Sequence, residues 1–219
     1  MIFPGRASLT TAPATTAVAL ATAKAYLKLD DTSDDTIVGV LLSGVEAMVE
    51  SYVGRALITQ TWDYWLDISG AAVSSVDARM DAGWPVGTAM SGELSTLELP
   101  RPPLQTVTYI KYYDSLDAEH TFSADDYTVD TAWAPGRVRL LSGSSWPSDL
   151  RARSSIVVRY VAGYGAAATD VPAGLQAGIL DALSYVYGNR GEHDATGARA
   201  NALPATSRRL LDSYKWSVL

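Results

Sequence analysis

The side chains that could do chemistry in this sequence are few and scattered. Glu192-His193-Asp194 has the donor types of a metal site. A lone imidazole in a polar stretch is explained as well by solvation, because a zinc centre needs several converging ligands. His120, after Glu119, reads the same way, and these are the chain's 2 histidines. With no cysteine, thiolate catalysis, disulfides and thiolate metal sites are excluded. Asp125-Asp126 supplies paired carboxylates, but adjacency along a chain does not set two carboxyls across a substrate. Asp30-Asp31-Thr32-Ser33-Asp34-Asp35 has the acid density of a calcium loop. Such a loop opened at Asp30 wants Gly at its sixth place and Glu at its twelfth. Asp35 and Leu41 stand there, so the acids read as the capping turn of a helix. Ala162-Gly163-Tyr164-Gly165 lacks the third glycine and the acidic residue of a dinucleotide site and reads as a turn. No nucleophile elbow, phosphate loop or zincin spacing occurs. No catalytic, cofactor-binding or metal-binding residue is assigned, and the chain is not read as an enzyme.

Aromatics are the other material for a site. Trp62, Tyr64 and Trp65 sit on one strand-like run, with Trp62 and Tyr64 on one face and Trp65 on the other. With Trp84 they could form a sugar platform, although core and inter-subunit packing use such side chains far more often.

The elements that would position these residues follow from periodicity. Ser33 reads as an N-cap, with Asp34 and Asp35 in the first turn where they suit the helix dipole. Behind it Ile37, Val38, Leu41, Leu42, Val45, Met48, Val49, Tyr52 and Val53 recur at helical spacing up to Gly54. Val18–Leu29 and Pro172–Arg190 are further helices, and Pro204–Trp216 is a short basic amphipathic one. Ile58–Asp67, Thr96–Leu99, Thr106–Tyr113, His120–Phe122, Tyr127–Asp130, Arg137–Leu141 and Ser155–Val161 read as strands. Short strands at short spacing imply antiparallel hairpins. The expected fold is therefore α+β, a helical bundle with an inserted antiparallel β subdomain and a short C-terminal amphipathic helix. Its expected divisions are an extended lead over 1–16, a bundle from 17–57 and 166–190, a β subdomain over 58–165, and a linker with docking helix over 191–219. That last segment cannot bury its Leu and Trp faces alone, so it either folds back or docks into a partner.

At 219 residues the chain can bury a core without staples. No apolar run is read as membrane-spanning and no signal peptide is visible, so a soluble protein of a reducing cytoplasm is expected. The net charge of −7 argues against a tight binder of nucleic-acid backbone. An acidic wall can still let DNA slide past without adhesion.

Several stretches match a known pattern in order. They are Gly54-Arg55-Ala56-Leu57-Ile58-Thr59-Gln60-Thr61-Trp62, Leu99-Pro100-Arg101-Pro102-Pro103-Leu104-Gln105-Thr106-Val107, Tyr127-Thr128-Val129-Asp130, Pro135-Gly136-Arg137, Ser145-Trp146-Pro147, Val158-Arg159-Tyr160-Val161-Ala162-Gly163-Tyr164-Gly165 and Tyr187-Gly188-Asn189-Arg190. The series, over residues 8–190, resembles the head–tail connector (adaptor, or head-completion) proteins of long-tailed bacteriophages and phage-like gene transfer agents. The Ala71–Ser91 insertion departs from that pattern.

The resemblance implies a ring, roughly twelve-fold, seated under a portal protein and joined to the next neck or tail-completion protein. Double-stranded DNA would pass through it without specific binding and no membrane would be involved. Assembly is expected in the bacterial cytoplasm, with the product residing in the particle neck. On that reading Arg208, Arg209, Leu210, Leu211, Tyr214, Lys215 and Trp216 dock into the portal, while Asp34, Asp35, Glu46 and Glu50 line the passage. Ala71–Ser91 and the hairpin tips are the expected tail-side contacts. The alternative is a carbohydrate- or host-binding module of a virion or cell surface using Trp62, Trp65 and Trp84.

Overall fold

The computed structural model describes residues 5–67, 96–190 and 203–216. They fall into two units, one built from 1–12 and 59–163, the other from 13–58 and 164–217.

The first unit is made of sheets. Its strands are β1 (Arg6–Thr11), β2 (Gln60–Leu66), β3 (Thr96–Glu98), β4 (Leu104–Tyr113), β5 (Glu119–Thr121), β6 (Tyr127–Asp130), β7 (Arg137–Leu140) and β8 (Ile156–Ala162). Five of them form an antiparallel sheet in the order β1-β2-β8-β4-β5, and three form a second in the order β3-β7-β6. The central strand β8 carries Val157, Val158, Tyr160 and Val161, the branched and aromatic residues that suit a pleated surface. Its register with β2 sets Trp62 opposite Tyr160 and Leu66 opposite Ile156. On that face Tyr160, Ile110, Val158 and Leu66 are buried, and the Tyr160 hydroxyl donates to the Pro100 carbonyl at 2.9 Å. Phe122 stacks between Tyr127 and Trp146, with centroids 6.0 and 5.1 Å away.

The second unit is helical, with α1 (Leu20–Leu27), α2 (Asp35–Val53), α3 (Ala173–Gly188) and α4 (Ala205–Leu211). Val38, Leu42, Val45, Val49 and Val53 form the buried stripe of α2, and Leu175, Ile179, Ala182 and Leu183 that of α3. Gly54, at φ 69°, closes α2 in the left-handed conformation.

Three corrections and one addition, the strand at Arg6–Thr11, follow. The fold is not a helical bundle carrying a β insert: antiparallel sheets of five and three strands make up a unit of their own, and α1 and α4 are only 8 and 7 residues long. Helices of two turns cannot run the length of the 19-residue α2 as bundle members. The N-cap of α2 is Asp34, whose carbonyl accepts from the Val38 N–H at 2.9 Å, while the Ser33 hydroxyl and N–H both turn to Asp31. The run Arg6–Thr11 pairs with β2 as an edge strand. Finally, α2 is long and apolar enough, by length and composition, to cross a membrane, so the run excluded above does meet that test. Its buried stripe is nonetheless the core of the helical unit.

Candidate interaction surfaces

The C-terminal segment is where the sequence places portal-docking residues. In the structure it lies on its own unit. The Thr206 and Ser207 hydroxyls both donate to Asp181 Oδ2 at 2.6 Å, and Leu211 is wholly buried. Beyond α4, Arg55 Nε donates to the Tyr214 carbonyl at 2.6 Å. The Trp216 N–H donates to the Val53 carbonyl at 3.0 Å. Tyr52 donates to Asp212 at 2.5 Å, a bond that pushes the Tyr52 hydroxyl pKa up, and Lys215 Nζ stands 4.7 Å from the centre of the Tyr52 ring. Of the seven expected docking residues, Leu211 therefore packs inward and Tyr214 and Trp216 are tied back through their backbones. Arg208, Arg209 and Leu210 remain as an exposed ridge.

The four carboxylates expected to line a passage all have internal partners. Asp34 accepts from the Tyr187 hydroxyl, with Arg190 Nη1 at 3.8 Å. Asp35 pairs with Lys24 at 2.5 Å, tying α1 to α2. Glu46 accepts from the Val18 N–H at 3.0 Å and Glu50 from the Leu57 N–H at 2.8 Å. Burial pushes the Glu46 carboxyl up to about 7, against two backbone hydrogen bonds that favour its charge. The outward positions of α2 are instead uncharged: Thr36, Ile37, Val40, Ser43, Ala47 and Ser51.

The aromatic run divides as its alternation predicts. Trp62 is buried under the Arg101 guanidinium, 5.0 Å from the ring centre. Tyr64 accepts from the Gly5 N–H at 3.3 Å, and burial pushes its hydroxyl pKa up. Trp65 faces the other way and stacks on Tyr113, centroids 6.2 Å apart. Trp62 and Trp65 thus do not share a platform, and Trp84 lies outside the described residues. So do Ala71–Ser91 and Glu192-His193-Asp194.

Around Trp65 the register assembles a face that sequence reasoning missed. Arg159 lies opposite Asp63 across β2 and β8 and opposite Tyr109 across β8 and β4. Both Asp63 oxygens accept from Arg159 at 2.7 Å, which holds the Asp63 carboxyl below the usual range. The Arg159 guanidinium and Lys111 Nζ stand 5.0 and 4.9 Å from the Tyr109 ring centre. Lys111 pairs with Glu119 at 2.6 Å, and Arg151 lies 3.9 Å over Tyr113. The alternation Tyr109-Ile110-Lys111-Tyr112-Tyr113 was the available signal, since it puts Tyr109, Lys111 and Tyr113 on one side. His120 bonds Asp114 at 2.8 Å and stacks on Tyr112. Among the described residues no three His, Cys, Asp or Glu side chains are grouped to hold a metal ion.

No protein-family model matches the chain, and no curated protein matches it. Solved structures do. A chain in the neck of an empty gene transfer agent particle, computed with C6 symmetry, matches with TM-score 0.72 at 20% identity, over 98% of this chain and 97% of that one. A chain in the native particle's neck, computed with C12 symmetry, matches with TM-score 0.68 at 20% identity, over 98% and 97%. A chain in the native virion matches with TM-score 0.67 at 20% identity, over 97% and 96%. The chain therefore shares its whole fold with chains of gene transfer agent particles, the class of particle to which the motif series points.

Proposed function

We propose that this chain is a structural head–tail connector of a phage-like particle, a neck subunit that acts by shape and breaks no covalent bond. The observation that carries the reading is the fold likeness to neck chains over 98% of its length. It agrees with the order of motifs from Gly54 to Arg190. Copies close into a ring of roughly twelve subunits, with the portal on one side and the next neck or tail-completion protein on the other. Assembly takes place in the producing cell's cytoplasm.

Of the residues proposed for the portal contact, the exposed ones are the available surface. Arg208, Arg209, Leu210 and Lys215 form its exposed part, while Leu211, Tyr214 and Trp216 hold the segment in place. The passage role of Asp34, Asp35, Glu46 and Glu50 requires their remaining oxygens, since each carboxylate already has an internal partner. Removing the gene from a producing cell tests the reading. The result expected is filled or leaking heads without tails; normal tailed particles would defeat it.

A further inference from the structure

On the Trp65 face of the five-stranded sheet, Arg6, Ser8, Trp65, Arg151 and Ser154 line an open cavity of about 390 Å³, within the size range of ligand sites. Arg6 stands opposite Trp65 in the β1–β2 register, and its side chain is exposed. Among the described residues no carboxylate pairs with it. Arg151 is fixed in place: Nε and Nη2 donate to the Ser154 carbonyl at 3.1 and 2.7 Å, and Tyr113 lies beneath the guanidinium. Among the described residues its Nη1 edge meets Asp117, at 3.4 Å, whose side chain is 76% exposed, while the nearby Asp67 carboxylate is engaged by the Ser154 N–H. Two guanidiniums therefore flank an indole and two hydroxyls on a protein of net charge −7.

From this geometry we infer that the cavity is a docking site for an acidic peptide segment of another protein. A carboxylate of that segment sits between Arg6 and Arg151 and displaces Asp117. Charge complementarity selects the occupant: a cation with no carboxylate partner among the described residues and a weakly paired one both call for an anion. The guanidinium fork suits a carboxylate, and the Trp65–Tyr113 stack supplies the rigid aromatic area that anchors protein interfaces.

The full chain titrated against fluorescein-labelled hexaglutamate, followed by anisotropy at low and high salt, tests this. Saturable binding is expected, weakened about tenfold by Arg6→Glu and by salt. The control is Arg139→Glu, an exposed position on β7, which leaves binding unchanged. Absence of saturable binding, or binding indifferent to Arg6→Glu, would overturn the site. So would tighter binding of an oligothymidylate, which would make the face a single-stranded nucleic-acid surface. Self-association abolished by Arg6→Glu without peptide binding would overturn it in favour of a second copy of this chain.

Discussion

Leu211 sits on Gly178. A Cβ on Gly178 would stand 2.6 Å from Leu211 Cδ2 and 2.8 Å from its Cγ. The leucine is wholly buried, so making way for a methyl group would disturb its close packing. The bare backbone of α3 is therefore what lets α4 seat itself. Gly→Ala inside a helix ordinarily stabilises by about 1 kcal/mol. Gly178→Ala should instead lose about 1–3 kcal/mol from overpacking, and Leu211→Ala about 2–5 kcal/mol from the cavity left. Urea denaturation measures both, and a Gly178→Ala chain more stable than its parent would refute the packing.

Deleting residues 204–219 should lower the melting temperature by several degrees. The deletion removes the partners of Arg55, Tyr52 and Asp181 and uncovers the α3 surface under Leu211. A truncated chain that melts with its parent would mean that the segment is only tethered.

Asp63 and Arg159 make a two-pronged pair across β2 and β8, with side chains 13% and 31% exposed. The Asp63 carboxyl is held below its ordinary 3.8, first by the Arg159 hydrogen bond. Its contribution is thus present above the unfolded value and lost as pH falls through the folded one. Arg159→Ala should cost roughly 1–3 kcal/mol near neutral pH and flatten the acid limb of the stability curve below 3.8. An unchanged acid limb would remove the pair from that account.

Glu46 has the opposite sign. Its folded-state value of about 7 lies above the unfolded 4.5, so the folded chain binds the proton more tightly between them. Stability from this group is full below 4.5 and declines as pH rises towards 7. Glu46→Gln keeps an acceptor for the Val18 N–H and removes the titration. The variant should gain on its parent as pH rises through that window, and parallel curves would contradict the assignment. Glu50, one helical turn along α2, adds to the upward push.

Most strands were legible because alternation and turn residues both mark them. Tyr127–Asp130 is observed as read, and the other expected strands lie within a few residues of their expected bounds. β1 was not legible: Arg6–Thr11 has the single large apolar residue Leu9, and its strand character comes from pairing with β2. The helices were found but their importance was misjudged, since periodicity reveals an apolar stripe and not what covers it. The site residues suffered likewise. Glu46 and Glu50 read as surface acids, yet backbone N–H groups outside α2, those of Val18 and Leu57, turn them inward. Alternation along β4 puts Tyr109 and Lys111 on one side, but setting Arg159 against them needed the register of β4 with β8, which lies beyond any local pattern.

The central claim, that this chain is a ring-forming neck subunit, is tested most directly by cryo-electron microscopy of particles purified from the producing cell. The account predicts a closed ring of copies of this fold between head and tail, with Arg208, Arg209 and Leu210 against the portal. A neck whose density holds no copy of the chain would contradict it.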